Sequence, residues 1–252
     1  MSSGPVLFAR YAYPPNALGL CGPADPDEMR GAAEGGDAAS VASLARQFEG
    51  AWPYLRLIAG CNNIADPLDR RVVEAYWVGS PLLDRIPPWI FASSLEDRFR
   101  RRAGRGWGPV VETVPLGGVA HHSFHVFAVY PWLGMLRAGR SQAPLEVLDR
   151  CRIRWGTVER IDADSVAVRS RRLVFDGSRL RLGDAGTEEA AASPGLLARL
   201  SPGDPVSLHW DWVCDRLTPS AVGRLRLYTA RNLVAVNASA VPGPAVACDR
   251  AG

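Results

Sequence analysis

The amino-acid sequence predicts an α+β protein: a mostly helical N-terminal domain, then a small OB-like β-barrel that ends in a C-terminal helix. Between residues 41 and 136, apolar side chains recur every three or four positions, which is typical of helices that bury one face. From about residue 150 the apolar spacing falls to two, as in half-buried strands, and a helical spacing returns after residue 217. These changes predict domains at residues 1–147 and 148–237, followed by a flexible tail at 238–252.

The N-terminal domain is predicted to open with 40 irregular residues, because this stretch is rich in Pro, Gly and Ala. Helices are predicted after it from apolar spacing and from capping residues. They are residues 41–60 with a kink at Pro53, a segment capped by Asp66 that runs to Gly79, a short helix after Ser93 or Ser94, and a buried helix from His121 to Leu136 interrupted at Pro131.

The second domain is predicted to consist of short strands and one helix. Alternating runs occupy residues 151–161, 165–175, 179–183 and 205–217. Residues 183–195 are small and polar and are predicted to form a loop or an excursion that includes a helix. Asp162 to Asp164 and the pair Asp176 and Gly177 supply turn signals between the first three runs. Thr218 or Ser220 can cap the final helix, because a hydroxyl there can accept a bond from the first turn.

Bulk composition excludes several classes of function. The chain has 252 residues, 47% hydrophobic and 22% charged, with a net charge of +3, so nothing predicts a nucleic-acid partner. No apolar run approaches the ~20 residues that span a bilayer, and no signal peptide is recognisable, so we expect a cytoplasmic protein without membrane insertion. The five cysteines form no CxxC pair, which favours free thiols.

Two motifs frame the second domain. The first is Cys151-Arg-Ile-Arg-Trp-Gly156-Thr-Val158, and the second is Pro202-Gly203-Asp204-Pro-Val206-Ser-Leu208-His209. Their order resembles that of the HypC/HupF family of hydrogenase-maturation chaperones, which are small β-barrels. Over its full length the chain also resembles an uncharacterised bacterial family found near hydrogenase genes. The resemblance therefore implies a HypC-like barrel at residues 148–237.

The same resemblance implies a function for two residues. The family's cysteine and histidine fall on Cys151 and His209, which would hold iron while a nickel–iron hydrogenase is assembled. The implied partner is a hydrogenase maturation factor or the hydrogenase large subunit, and the implied role is that of a chaperone or scaffold rather than an enzyme. A thiolate and an imidazole are suitable ligands for Fe²⁺. We expect the two side chains to share an opening.

Two alternatives remain at this point. His121 and His125 lie one helical turn apart, and His122 neighbours His125, so the three can form a metal site. A further ligand can come from Cys61, Asp66, Asp69 or Glu74. That arrangement predicts a metal-dependent enzyme. A second alternative is a metal-free interaction module, in which Cys151 is a buried apolar residue and His209 bonds to the backbone.

Overall fold

The structure, a computed structural model, describes residues 2–35, 38–103, 108–139 and 143–239. Its N-terminal region is helical. The helices are α1 (Gly4–Ala17), α2 (Pro26–Ala33), α3 (Ala38–Arg46), α4 (Trp52–Cys61), α5 (Arg70–Trp77), α6 (Pro88–Ala103), α7 (Gly108–Glu112), α8 (His122–Phe124), α9 (Trp132–Arg137) and α10 (Ala143–Cys151). A 3-10 turn occupies Leu83–Arg85, and a π-helical turn occupies His125–Val129.

The prediction that the first 40 residues are irregular is wrong, because α1 and α2 lie there. Pro5 lies in the first turn of α1, where its missing N–H costs nothing, whereas Pro14 and Pro15 lie inside the helix near its end and each removes a backbone donor. Leu7, Phe8 and Tyr11 lie on its buried face. In α2 the carboxylate of Asp25 accepts a bond from the N–H of Asp27, 2.9 Å away, and so caps the helix.

The predicted helix at 41–60 is two helices, α3 and α4. Pro53 lies in the first turn of α4, where its missing N–H costs nothing, so it starts a helix and does not kink one. The next helix is capped by Asp69, and Asp66 caps only the turn before it, by accepting from the N–H of Leu68. Farther along, α6 begins at Pro88, earlier than the predicted start after Ser93 or Ser94.

The segment from His121 to Leu136 is helical and buried, as predicted. It begins with α8, continues as the π-helical turn and breaks at Tyr130, which has an extended conformation. Pro131 then caps α9, so the predicted interruption at this proline is confirmed. After the break, α9 packs against α10.

Five strands close into a ring in the order β1-β2-β3-β5-β4. They are β1 (Arg154–Ile161), β2 (Ser165–Phe175), β3 (Leu180–Ala192), β4 (Pro205–His209) and β5 (Trp212–Arg216). Four neighbouring pairs are antiparallel, and the β3–β5 pair is parallel. Helix α11 (Pro194–Leu197) links β3 to β4, and α12 (Pro219–Ala238), capped by Thr218, ends the described chain. The predicted α+β class is confirmed.

Three details of the second region differ from the predictions. Residues 183–192 continue β3, although they were predicted to form a loop or an excursion that includes a helix, because they pair along the length of β2. The run at 205–217 is two strands joined by Trp210 and Asp211, and Trp210 has a left-handed φ of 53° that makes the turn. Cys151 ends α10 and does not begin a strand.

Two hydrophobic clusters hold these elements. The smaller one fills the ring and includes Val158, Val168 and Leu208. The larger one combines the helical region with α12 and with residues of β2, β3 and β5. The predicted division at residues 147 and 148 stays a prediction. The predicted tail falls mostly on residues 240–252, which lie outside the described chain. Within the described residues, no helix has both the length and the apolar character needed to cross a membrane.

Candidate metal centre

Three side chains that can bind a metal meet where the helical region faces the ring. Cys151 is the last residue of α10, His209 is the last residue of β4, and His122 is the first residue of α8. The sulfur of Cys151 and one ring nitrogen of each histidine all lie within 4.8 Å of one another. The structure therefore brings together the predicted pair, Cys151 and His209, and adds His122 from the alternative set. These three residues could together hold a metal ion, and we use the name metal centre for this group of residues.

The metal centre is buried. The exposed fractions are 5% for His122, 7% for Cys151 and 1% for His209. The ring of Trp77 packs against both imidazoles, with centroid distances of 4.6 Å to His122 and 5.7 Å to His209. The thiol and the imidazole thus share a site, as expected, but the site lies in the interior and not at an opening. A metal ion held there would be shielded from water.

The hydrogen bonding of His209 leaves one nitrogen ready for a ligand. Its Nδ1 lies 2.6 Å from the backbone carbonyl oxygen of Tyr11, which can only accept, so Nδ1 carries the proton and donates it. Nε2 is then an unprotonated nitrogen with a lone pair, and it has no hydrogen-bond partner among the described residues. Histidines that bind metals typically donate the other ring N–H to a carbonyl or carboxylate in this way.

Both nitrogens of His122 have partners. Nε2 lies 2.8 Å from the carbonyl oxygen of Cys151 and so donates to it, while Nδ1 lies 3.1 Å from the hydroxyl of Tyr76 and accepts from it. Binding a metal through Nε2 requires the proton to move to Nδ1. The Tyr76 hydroxyl can then accept from Nδ1, because a phenol oxygen both donates and accepts. The second partner of His122 thus suits either tautomer.

Burial dominates the protonation of the centre. It raises the pKa of the Cys151 thiol far above its usual range, and it lowers the pKa of His122 to about 4. The pKa of His209 falls well below its usual value, first because of burial and then because of the nearby charge that His122 carries when protonated. Without an ion, the thiol and both imidazoles are therefore neutral at neutral pH. Coordination would remove the thiol proton, because the thiolate is the form that binds metals.

The donor set fits a transition-metal ion. Tetrahedral coordination with bonds of about 2.0–2.3 Å places ligand atoms about 3.3–3.8 Å apart. The three ligand atoms, which lie within 4.8 Å of one another, must therefore approach by up to about 1.5 Å. Two imidazoles and a thiolate suit Fe²⁺, Zn²⁺, Co²⁺ and copper, whereas Mg²⁺ and Ca²⁺ prefer oxygen. Within the described parts of the chain, this is the one group of three or more such residues with ligand atoms this close together.

The other histidines of the alternative set have different surroundings. His121 Nδ1 lies 2.7 Å from the hydroxyl of Ser123 and also accepts from its N–H, which caps α8. The ring of His125 packs edge-on against Tyr54, with centroids 5.6 Å apart. Burial lowers the pKa of His121 and that of His125 to about 3 in each case. The structure does not bring His121 or His125 into the group that contains His122.

The cysteines also differ in whether they belong to the metal centre. No disulfide joins the described cysteines, which agrees with the prediction from their spacing, and Cys248 lies outside the described residues. Cys61 is half-buried at the end of α4 and does not belong to the metal centre. Cys214 is buried in β5, also outside the group. Only Cys151 among them contributes to the centre.

The combination of His122 with Cys151 and His209 was missed in the sequence. His122 and Cys151 are 29 residues apart, and no local spacing connects them. The sequence offered the histidine as part of one site and the cysteine as part of another. One set was built on local spacing and the other on the order of two motifs, and neither approach can place a residue of one set beside a residue of the other.

Comparisons with known proteins concern the whole chain. Neither the curated proteins nor the solved structures contain a significant match to it. One family model matches residues 1–242, which include the helical region, the ring and α12. The match supports the predicted membership of an uncharacterised family, while a link to HypC proteins or hydrogenases stays a prediction. The chain belongs to the family of unknown function DUF6390.

Proposed function

We propose that this protein binds one transition-metal ion through His122, Cys151 and His209. The observation that carries the proposal is the convergence of three buried ligand side chains from α8, α10 and β4 within 4.8 Å. A buried polar nitrogen without a partner, such as Nε2 of His209, costs free energy unless something binds it. A metal ion would satisfy this nitrogen and the thiol together.

We further propose that the ion is iron and that the protein is an accessory factor in the maturation of a nickel–iron hydrogenase. The support is the resemblance of Cys151, His209 and the turn at Pro202 to the HypC/HupF motifs. In this role the protein docks on a maturation factor or on the hydrogenase large subunit and acts as a scaffold. Because the centre is buried, transfer of the ion requires α10 and β4 to separate, so the ion is retained until a partner opens the site.

Metal content tests the first proposal. The protein is purified without oxygen, loaded with Fe²⁺ or Zn²⁺, desalted, and analysed for bound metal per chain. We expect about one ion in the wild type and its loss in H122A, C151A and H209A. Cys214→Ala is the matched control, because it removes a buried thiol outside the centre and should retain the ion. Equal metal content in Cys151→Ala and the wild type would refute the site.

The hydrogenase role needs a separate test. The iron-loaded protein is mixed with a purified maturation factor or with a purified hydrogenase large subunit that lacks its metal centre. Complex formation is measured by size-exclusion chromatography, and iron transfer by metal analysis of the separated proteins. We expect a complex with the wild type and iron transfer that fails in His209→Ala. If the protein binds one ion but forms no complex with the large subunit or with a maturation factor, the hydrogenase proposal fails and the metal centre stands.

A further inference from the structure

Arg154 is a fully buried arginine at the start of β1, beside the metal centre. All five N–H groups of its guanidinium have acceptors at hydrogen-bond distance. Nε and Nη2 donate to the two carboxylate oxygens of Glu188, 3.2 and 3.0 Å away. Nη1 donates to the backbone carbonyls of Asp149 and Arg150, both at 3.2 Å, and Nη2 also donates to the carbonyl of Trp210 at 2.6 Å.

Two of these three carbonyls belong to residues next to ligands of the metal centre. Arg150 immediately precedes Cys151, and Trp210 immediately follows His209. The N–H of Trp210 also donates to the carbonyl of Arg150 over 2.7 Å, so the two flanking peptides are bonded directly as well as through Arg154. The end of α10 and the end of β4 are therefore fastened to each other at one point.

The carboxylate of Glu188 keeps the guanidinium in place. It accepts from Arg154 in a bidentate pair, from the hydroxyl of Ser170, and from Arg172 at 3.0 Å. A bidentate pair with a carboxylate fixes the plane of the guanidinium as well as its position. The remaining donors are then aimed at the three carbonyls. Glu188 of β3 thus fixes the orientation of Arg154, and Arg154 in turn holds the ends of α10 and β4 at fixed positions.

We propose that Arg154 is the positioning residue of the metal centre, which sets the distance between the Cys151 sulfur and the His209 ring. The inference rests on the proposed metal binding, and it names a residue that controls the ligand geometry without being a ligand. A lysine cannot replace this arginine, because its single ammonium lacks the planar fork that meets a carboxylate and three carbonyls together. The residue acts through the backbone of the ligands and touches no metal itself.

Cobalt(II) provides a readout of ligand geometry. Co²⁺ is added to metal-free wild type and to Arg154→Lys, the affinity is measured by competition with a chelator, and the visible and thiolate charge-transfer absorption is recorded. We expect Arg154→Lys to bind Co²⁺ about 10–100-fold more weakly, as is typical when a partner of a metal ligand is lost. Its absorption bands should shift, because the Cys151 and His209 atoms no longer approach in the same geometry.

Arg152→Lys is the matched control. Arg152 is equally buried and ion-paired, to Asp149, and donates to the Arg171 carbonyl, but makes no bond to the peptides of Arg150 or Trp210. It should keep the wild-type spectrum. Glu188→Gln is a second variant, which leaves Arg154 intact and loosens its orientation, and should reproduce the spectral shift if Arg154→Lys does not fold.

The outcomes separate the two proposals. If the wild type binds no Co²⁺, Fe²⁺ or Zn²⁺, both fail. If the wild type binds and the folded variant of Arg154 or Glu188 has the wild-type affinity and spectrum, the positioning role is wrong and the metal centre stands. The role is equally wrong if Arg152→Lys causes the same spectral change as Arg154→Lys, because the effect would then follow from disturbing any buried arginine here.

Discussion

The Nδ1–H of His209 donates to the backbone carbonyl of Tyr11 over 2.6 Å. This bond joins the five-stranded ring to α1, the first helix of the chain. The hydroxyl of Tyr11 makes a second hydrogen bond to the strands, with the hydroxyl of Ser207 in β4, 2.9 Å away. One residue of α1 therefore contacts β4 with both its backbone and its side chain. Since the first bond also fixes the tautomer of His209, the N-terminal helix determines which nitrogen of this ligand is available.

Metal binding should stabilise the folded protein, because the unfolded chain does not hold the three ligands together. At a free metal concentration of 100 times the dissociation constant, the free energy of unfolding rises by about 2.7 kcal/mol. For a chain of this size, the melting temperature then rises by about 5–10 °C, at roughly 2–4 °C per kcal/mol. Differential scanning calorimetry with Zn²⁺ measures the shift. Cys214→Ala should keep it and Cys151→Ala should lose it, and an equal shift in both variants would contradict the assigned ligands.

Tyr76→Phe tests the second partner of His122. The substitution removes the hydroxyl that lies 3.1 Å from Nδ1, so a metal-bound His122 would carry a buried N–H without an acceptor. We expect the metal affinity to fall about 10-fold or more. Tyr54→Phe is the control, because the buried hydroxyl of Tyr54 has no hydrogen-bond partner among the described residues. Isothermal titration should give the wild-type affinity for this control, and the idea fails if the two variants bind equally well.

Local sequence patterns predicted much of the fold. The alternation in residues 165–175 predicted β2 with its observed bounds, and Thr218 was one of the two predicted caps of the last helix. The patterns failed where contacts with distant parts of the chain determine the local structure. The small residues at 183–192 carry no strand signal of their own and are extended because they pair with β2. Trp210 breaks the predicted strand at 205–217 because its backbone is left-handed. This conformation is uncommon for a bulky residue, so the sequence did not predict it.

Only part of the candidate site could be predicted, because the site also depends on contacts between distant parts of the chain. Cys151 and His209 were paired by the resemblance of two motifs, and the structure brings them together. His122 could not be added, because its approach to Cys151 and His209 depends on the tertiary packing of α8, which is far from both residues in the sequence. The burial of Cys151 and the backbone bond of His209 were expected only in the metal-free alternative, and both are observed. The residues that cover the site, Trp77 and Tyr11, could not be predicted because they lie in distant parts of the chain.

Gly156 in β1 allows the packing of the five-stranded ring to be tested independently of metal binding. A Cβ at this position would lie 2.7 Å from the backbone carbonyl oxygen of Arg169 and would also clash with Val168. Gly156→Ala should therefore lower the free energy of unfolding by about 1–3 kcal/mol, as is usual for overpacking. Gly186→Ala in β3 is the control, because a Cβ there meets nothing within 4 Å. Urea unfolding measures both, and equal stabilities would contradict the close packing of β1 on β2.

The buried histidines predict a loss of stability in acid. The folded pKa of His125 is about 3, chiefly because burial disfavours its charged form, whereas an unfolded histidine titrates near 6.5. Between these values the unfolded chain binds a proton that the folded chain does not. The stabilisation is therefore complete above about pH 6.5 and is lost, at up to about 1.4 kcal/mol per pH unit for this residue, as the pH falls towards 3.

His125→Phe isolates that contribution, because the phenyl ring can keep the edge-on contacts with Tyr54 and Tyr130 but cannot take up a proton. Urea unfolding between pH 4 and 7, with a chelator present to remove metal effects, gives the free energy of unfolding at each pH. We expect the variant to lose less stability per pH unit than the wild type, whatever its stability at pH 7. Parallel pH profiles for the two proteins would mean that His125 is protonated as readily in the folded chain as in the unfolded one, which is incompatible with its burial.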